Sequence, residues 1–296
     1  MYSYYYIDAF TTTPFEGNPC AVFPEADGLS DAEMQNLARE TNLPETAFVV
    51  KSGQADFKVR YFTPRSEVPF AGHPTIATAF LLAQLGKIST AGERTTVQFE
   101  FNIGVLPVEV ITTDDGSIDV VGMQQQPPEF GAVVEAAELA PLMGLNTKEF
   151  IEEVPVQVVS TGVPFLMVPL RRLDSVKKAV MDRPKVRALL EKAGVKVMFV
   201  FAPEGYTPQG NTFARLMDPD NAGEDPFTGS ATGCMGSFLY RYGIVKDRKM
   251  VCEQGHLLGR PGEGILELEG LPEAIKSVKL YGKAVPSLRG EYEKRS

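Results

Sequence analysis

The sequence predicts an α+β protein built from two similar halves, each a mainly antiparallel sheet rolled around one buried helix. Three observations carry this reading. Glu67 to Gly86 (EVPFAGHPTIATAFLLAQLG) and Glu224 to Gly243 (EDPFTGSATGCMGSFLYRYG) align without a gap, and seven of the twenty positions are identical. Segments such as Phe57–Phe62 and Thr96–Phe101 alternate apolar and polar residues with a period of two, the signature of half-buried strands. The segments after Thr75 and Thr232 are apolar nearly all round, which marks helices buried on every side.

The elements follow in order within each half. The opening MYSYYYIDAF has neither a basic region nor an apolar run, so it reads as a first strand and not as a signal peptide. Gly17-Asn18-Pro19 faces Gly162-Val163-Pro164, each followed by an apolar run and then Pro24 or Pro169. A helix comes next. The first is LSDAEMQNLARE, with Ser30 as N-cap and Glu33 three residues later; the second begins near Leu173 and runs in pieces to Gly194. Arg60-Tyr61-Phe62-Thr63-Pro64 then faces Arg215-Leu216-Met217-Asp218-Pro219, just upstream of the repeat. The central helices should start near residues 74 and 231 and end at Gly86 and Gly243, each placed as a C′ glycine. Asp114-Asp115-Gly116 and Pro261-Gly262-Glu263-Gly264 read as hairpin turns. The polar run ending in Pro127-Pro128 divides the chain into residues 1–127 and 128–296, with a final strand near 285–296 free to pack back onto the first half.

Composition narrows the function. With 296 residues, 44% hydrophobic and 23% charged, the chain is an ordinary globular protein long enough for two domains. A net charge of −9 argues against nucleic acid or an anionic membrane as partner, and no window is long and apolar enough for a membrane span. Cys20, Cys234 and Cys252 are too few and too scattered for a disulfide framework and read as buried thiols in a reducing cytoplasm. No His, Cys or carboxylate cluster has metal-ligand spacing, so no metal is expected.

The repeated helix starts carry Gly72-His73 and Gly229-Ser230. A helix N-terminus offers unpaired N–H groups and a positive partial charge, and glycine allows a ligand close to them. A duplication would bring the two ends to face each other across a cleft that suits a small carboxylic acid. Two tight turns leading into core helices, with no ligand, explain the same residues from the repeat alone. A nucleotide loop is excluded, because TGSATG at 228–233 lacks the Gly-Lys-Ser/Thr ending and no GxGxxG follows a strand.

EVPFAGHPT at 67–75 and EDPFTGSA at 224–231 resemble the two signatures of the phenazine-biosynthesis (PhzF-like) family. The stretches 8–22 (DAFTTTPFEGNPCAV) and 42–49 (NLPETAFV) resemble it too, as do Gln254-Gly255 and Gly259-Arg260-Pro261, so the likeness runs from end to end. The resemblance implies two pseudo-symmetric diaminopimelate epimerase-like domains, a homodimer, and a cofactor-independent proton shift on a small cyclic amino or hydroxy carboxylic acid. By the same resemblance Glu45 is the proton-transferring carboxylate, with His73 and Asp225 as further catalytic groups. Asn18, Gly72, Gly229, Ser230 and Ala231 would bind substrate. Phe227 and Asp218 depart from the family pattern, where a small residue and an alanine are usual, and are expected to reshape the pocket. His256 is expected on a strand with a structural role. With no cysteine in either turn, a two-thiol epimerase is disfavoured. Two other readings stay open: a small-acid-binding or regulatory protein without turnover, and an amino-acid epimerase using Glu45 and Asp225 as a carboxylate pair.

Overall fold

In a computed structural model, which describes residues 1–90, 92–221 and 223–294, the chain divides into two compact units. One is Met1–Met123 together with the stretch from Tyr281 onward; the other is Gln124–Leu280. The first unit runs β1 (Tyr2–Ala9), β2 (Asn18–Phe23), α1 (Asp31–Thr41), β3 (Glu45–Val50), β4 (Phe57–Phe62), β5 (Glu67–Val68), α2 (Gly72–Gln84), β6 (Arg94–Phe101), β7 (Gly104–Thr112) and β8 (Ile118–Gln125). The second follows with β9 (Glu129–Val134), α3 (Ala136–Leu139), β10 (Val156–Ser160), β11 (Pro164–Pro169), α4 (Leu173–Lys178), α5 (Arg183–Ala193), β12 (Met198–Ala202), β13 (Thr212–Met217), α6 (Gly229–Arg241), β14 (Lys249–Gln254), β15 (Gly262–Leu271) and β16 (Ala274–Gly282). The last strand, β17 (Ala284–Tyr292), returns to the first unit and pairs with β1.

In the first unit the strands lie in the row β17–β1–β2–β3–β4–β6–β7–β8; β2/β3 and β4/β6 are parallel and the other neighbours antiparallel. In the second unit the row begins β9–β10–β11–β12–β13–β14–β15, with β11/β12 and β13/β14 parallel and the rest antiparallel. The same alternation of senses therefore recurs in each unit. Each first parallel pair is bridged by helix: α1 between β2 and β3, and α4 with α5 between β11 and β12.

The helices explain how each sheet is shaped. Helix α2 packs against β1, β2 and β3 and also against β17 and β7, which stand near opposite ends of its row. A flat sheet could not touch one helix from both ends, so this one curls. Helix α6 likewise packs against β10, β11, β12 and β15. Both helices are buried over most of their length, as their all-round apolar sequences require. The other face of the first sheet holds Phe23, Phe48 and Phe62 against Met34 and Ala38 of α1. Because side chains alternate across a strand, Cys20, Glu45, Ala47 and Tyr61 belong to the opposite face, toward α2.

The identities in the repeat have structural causes. Arg60 grips Glu67 through two hydrogen bonds of 2.8 Å each. Arg215 grips Glu224 in the same fork, at 3.1 and 2.5 Å. Each fork ties the strand before the loop to the loop that leads into the central helix. The Thr75 hydroxyl donates to the Ala71 carbonyl at 2.8 Å, and the Thr232 hydroxyl to the Thr228 carbonyl at 2.9 Å. Gly86 and Gly243 have φ of 69° and 68°, the left-handed backbone that ends each helix. Ser30 and Glu33 form the reciprocal capping box at the start of α1.

Three local expectations are corrected. Helices α2 and α6 begin at Gly72 and Gly229, two residues earlier than the apolar pattern suggests, because the glycines themselves take helical backbone. Pro261–Gly264 is not a hairpin turn; Gly262 opens β15, and the chain turns instead through Gly255 and Gly259, both left-handed. His256 lies in that turn, on a 3-10 segment and not on a strand, with its ring stacked on Tyr206 at a centroid distance of 4.3 Å.

Candidate active site

The chain positions Glu45 with three local devices. Helix α1 ends on Asn42 in the left-handed conformation, Pro44 then keeps the chain from continuing as helix, and β3 starts at Glu45 itself. Parallel pairing sets Glu45 beside Cys20 of β2. The carboxylate is half-buried, with 22% of its side chain exposed.

His73 is the second residue of α2 and is buried. Its Nε2 lies 3.4 Å from Oε2 of Glu45. One imidazole N–H donates to the backbone of Pro19, which can only be the carbonyl because proline has no N–H. Nε2 has no hydrogen-bond partner among the described residues, so the donor is Nδ1, and the unprotonated Nε2 is the ring nitrogen that lies near Glu45. Burial lowers the pKa of His73 to about 3, against the smaller opposing effect of the Pro19 bond. The contact is therefore a neutral imidazole facing a carboxyl group, and not a salt bridge. A protonated Glu45 can donate to Nε2. An ionised Glu45 sets lone pair against lone pair. The geometry thus accommodates one proton on the pair.

Asn18 and Gly72 complete this cluster. Asn18, fully buried, begins β2 next to Pro19, whose carbonyl holds His73. Gly17 before it has φ 57°, and a Cβ there would stand 2.2 Å from the Ala9 carbonyl oxygen, so only glycine fits. Gly72 opens α2 after Ala71, which offers no side-chain cap, and the space where a Cβ of Gly72 would project is open. The first amides of α2 are thus left to a ligand or to water.

The second unit holds Asp225, Gly229, Ser230 and Ala231. The Thr228 hydroxyl donates to Asp225 Oδ2 at 2.6 Å. Gln254, buried at the end of β14, clamps the same loop: its amide donates to the Asp225 carbonyl at 2.6 Å, and its oxygen accepts the Thr228 N–H at 3.0 Å. Gln125 donates to the Gly229 carbonyl at 2.9 Å and accepts from Thr161 at 2.6 Å. Gly233 is required for this, since a Cβ there would meet Gln125 at 1.9 Å. Ser230 is half-buried and Ala231 fully buried. Sequence reasoning missed Gln125 and the clamping role of Gln254. Only the neighbouring Gln-Gly pair at 254–255 gave any signal for the latter.

Each of the two departures from the family pattern has a structural role of its own. Phe227 is 1% exposed, and its ring packs on β15, where a Cβ on Gly264 would come within 2.7 Å of it. It fills core and does not line an open pocket. Asp218 accepts the Asp220 N–H at 2.8 Å and shapes the turn after β13. All three thiols are buried, and burial pushes Cys234 to about 11, Cys252 to about 12 and Cys20 well above its ordinary value, with the Glu45 charge adding to the last. Thiols so protonated are poor bases. Among the described residues no group of three or more His, Cys, Asp or Glu side chains could hold a metal ion, and no helix is long and apolar enough to cross a membrane. A cavity of about 500 Å³ in the first unit, lined by Lys51, Lys58, Arg60 and Glu67, does not include Glu45 or His73.

Known proteins match this chain over nearly its whole length. It is 34% identical over 286 residues to an uncharacterized isomerase, YfhB, of Bacillus subtilis, covering 95% of this chain and 94% of that one. It is 33% identical over 292 residues to the trans-2,3-dihydro-3-hydroxyanthranilate isomerase of Pseudomonas fluorescens, covering 98% and 99%. The crystal structure of a Bacillus anthracis phenazine biosynthesis protein of the PhzF family superimposes with a TM-score of 0.88 at 27% identity, over 99% of each chain. A mixed α+β, mostly sheet fold with such relatives defines an isomerase. The chain belongs to the phenazine biosynthesis-like family, whose sequence profile matches residues 7–290.

Proposed function

We propose that the protein is a cofactor-independent isomerase that moves a proton between two carbons of a small cyclic amino or hydroxy carboxylic acid. Each unit is read as a diaminopimelate epimerase-like roll, and the two as products of one duplication. The observation that carries the reading is the contact between neutral His73 and Glu45, at 3.4 Å. Glu45 as carboxylate takes a proton from the substrate carbon and, as carboxylic acid, returns it to a second carbon on the same face. His73, its tautomer fixed by Pro19, holds the proton-bearing carboxyl through Nε2. The free amides at the start of α2, with Asn18, take part in binding the substrate. Asp225 and the backbone of Gly229, Ser230 and Ala231 are assigned to substrate binding as well. A homodimer in the cytoplasm is the assembly we propose.

The relative from Pseudomonas fluorescens suggests trans-2,3-dihydro-3-hydroxyanthranilate as the first probe. In deuterated water the wild-type protein should introduce deuterium into this probe. Glu45→Gln keeps the shape but cannot shuttle a proton, so exchange should fall on the order of 10²–10⁴-fold. Affinity for the probe should change far less. Asp225→Asn should chiefly raise KM. A Glu45→Gln protein that exchanges near the wild-type rate would remove Glu45 from the mechanism, and binding with no exchange in the wild type would indicate a binding protein.

A further inference from the structure

We infer that Tyr61 is a positioning residue for His73, acting through Thr75 and the N-cap of α2; this rests on the role proposed above for His73. Tyr61 lies on β4, is 1% exposed and touches no solvent from which a substrate could reach it. Its hydroxyl is 2.7 Å from Oγ1 of Thr75. Thr75 has a single hydroxyl proton and donates it to the Ala71 carbonyl at 2.8 Å. The bond from Tyr61 must therefore run from phenol to threonine. The result is a directed chain, Tyr61 O–H to Thr75 O–H to Ala71 C=O. Each donation polarises the next hydroxyl and strengthens its bond. Ala71 is the N-cap, and Gly72 and His73 follow it immediately. Ala71 has no polar side chain, so the first N–H groups of α2 stay uncapped, and the chain of hydroxyls instead fixes the direction of the Ala71 carbonyl from which the helix starts.

The second unit provides an internal control. There Thr232 bonds to the Thr228 carbonyl as Thr75 does to Ala71. The β13 residue facing Tyr61 in the repeat is Leu216, which carries no hydroxyl. The threonine brace is common to both units, but the phenol is added only in the unit whose helix begins with histidine. A generic requirement of the fold would be expected at both positions. The phenol instead coincides with the imidazole whose Nε2 must be aimed at Glu45.

The test uses the full-length protein labelled with ¹⁵N-histidine. The chain has only two histidines, so His256→Asn leaves the His73 ring as the sole signal. With Tyr61 present, His73 should show one tautomer, a slowly exchanging Nδ1–H, and no titration through pH 5–8. Tyr61→Phe keeps the ring and removes only the hydroxyl. It should speed Nδ1–H exchange at least tenfold and broaden or shift the Nε2 resonance. Thr75→Val should reproduce this, and Thr75→Ser, which keeps the hydroxyl, should restore the wild-type signal. The two routes to the same readout keep the test decisive if one variant folds poorly. Unchanged His73 resonances in folded Tyr61→Phe and Thr75→Val would overturn the inference. The spectra do not depend on turnover, so failure of the proposed reaction is seen separately, as retained exchange activity in Glu45→Gln. Where the probe is turned over, Tyr61→Phe should lower kcat with little change in KM, and should add no further loss to His73→Ala.

Discussion

His73 links the site to the stability of the protein. Its pKa falls from 6.5 to about 3 on folding because burial disfavours the cation. Below pH 6.5 the unfolded chain takes a proton that the folded chain refuses, so stability present above that pH is lost as pH falls toward 3, at up to about 1.4 kcal/mol per pH unit. Urea unfolding between pH 7 and pH 4 should show this slope in the wild type and a shallower one in His73→Asn; equal slopes would mean that His73 is protonated in the folded state. The sequence made Glu45 and His73 visible as separate candidates through their motifs. It could not show them 3.4 Å apart, since 27 residues of chain, including two further strands, intervene. Nor could it show Pro19 as the acceptor that fixes the tautomer, because a backbone carbonyl leaves no trace in residue type. Phe227 is the opposite case: its size was legible, but its direction was not.

At the scale of elements, the repeat was readable because several of its residues do the same job twice. Arg60 with Glu67 and Arg215 with Glu224 pin the loops, Thr75 and Thr232 brace the helix starts, and Gly86 and Gly243 end the helices. The turn before β15 was misread because a glycine-rich stretch signals either a turn or a close approach, and at Gly262 and Gly264 it is the approach of the Phe227 ring. This pairing gives a coupled prediction. Gly264→Ala should destabilise by about 1–3 kcal/mol, as overpacking does, because the Phe227 ring has no free end to move aside. Phe227→Ala should cost about 3–5 kcal/mol through the cavity it leaves. The double variant should then be less destabilised than the sum, since the added methyl enters the vacated space. Additive costs in chemical denaturation would show that the ring and β15 are not in contact.

On the scale of the whole molecule, composition and periodicity define a large, mostly sheet protein, while the pairing of its strands depends on contacts far apart in sequence. The period-two pattern fixes which face of a strand is buried and leaves its neighbour open. The pairing of β17 with β1 is the longest of these contacts: Tyr2 faces Tyr292 and Ala9 faces Ala284, with the rings of Tyr2 and Tyr292 stacked at 6.3 Å. The first unit is thus completed by two strands far apart in sequence, and closing so long a loop must precede the reward of its contacts. Without β17, β1 becomes an edge strand with unpaired N–H and C=O groups, and the side of α2 that packs on β17 is uncovered. A chain ending at Lys283 should therefore lose hydrogen-exchange protection in β1, β2 and α2, while β10–β13 and α6 keep theirs. It should also aggregate at concentrations where the full chain stays dispersed. Protection of β1 and α2 equal to that of the full chain would mean that the closing strand is dispensable and that β1 and β2 with α2 suffice to hold the first unit.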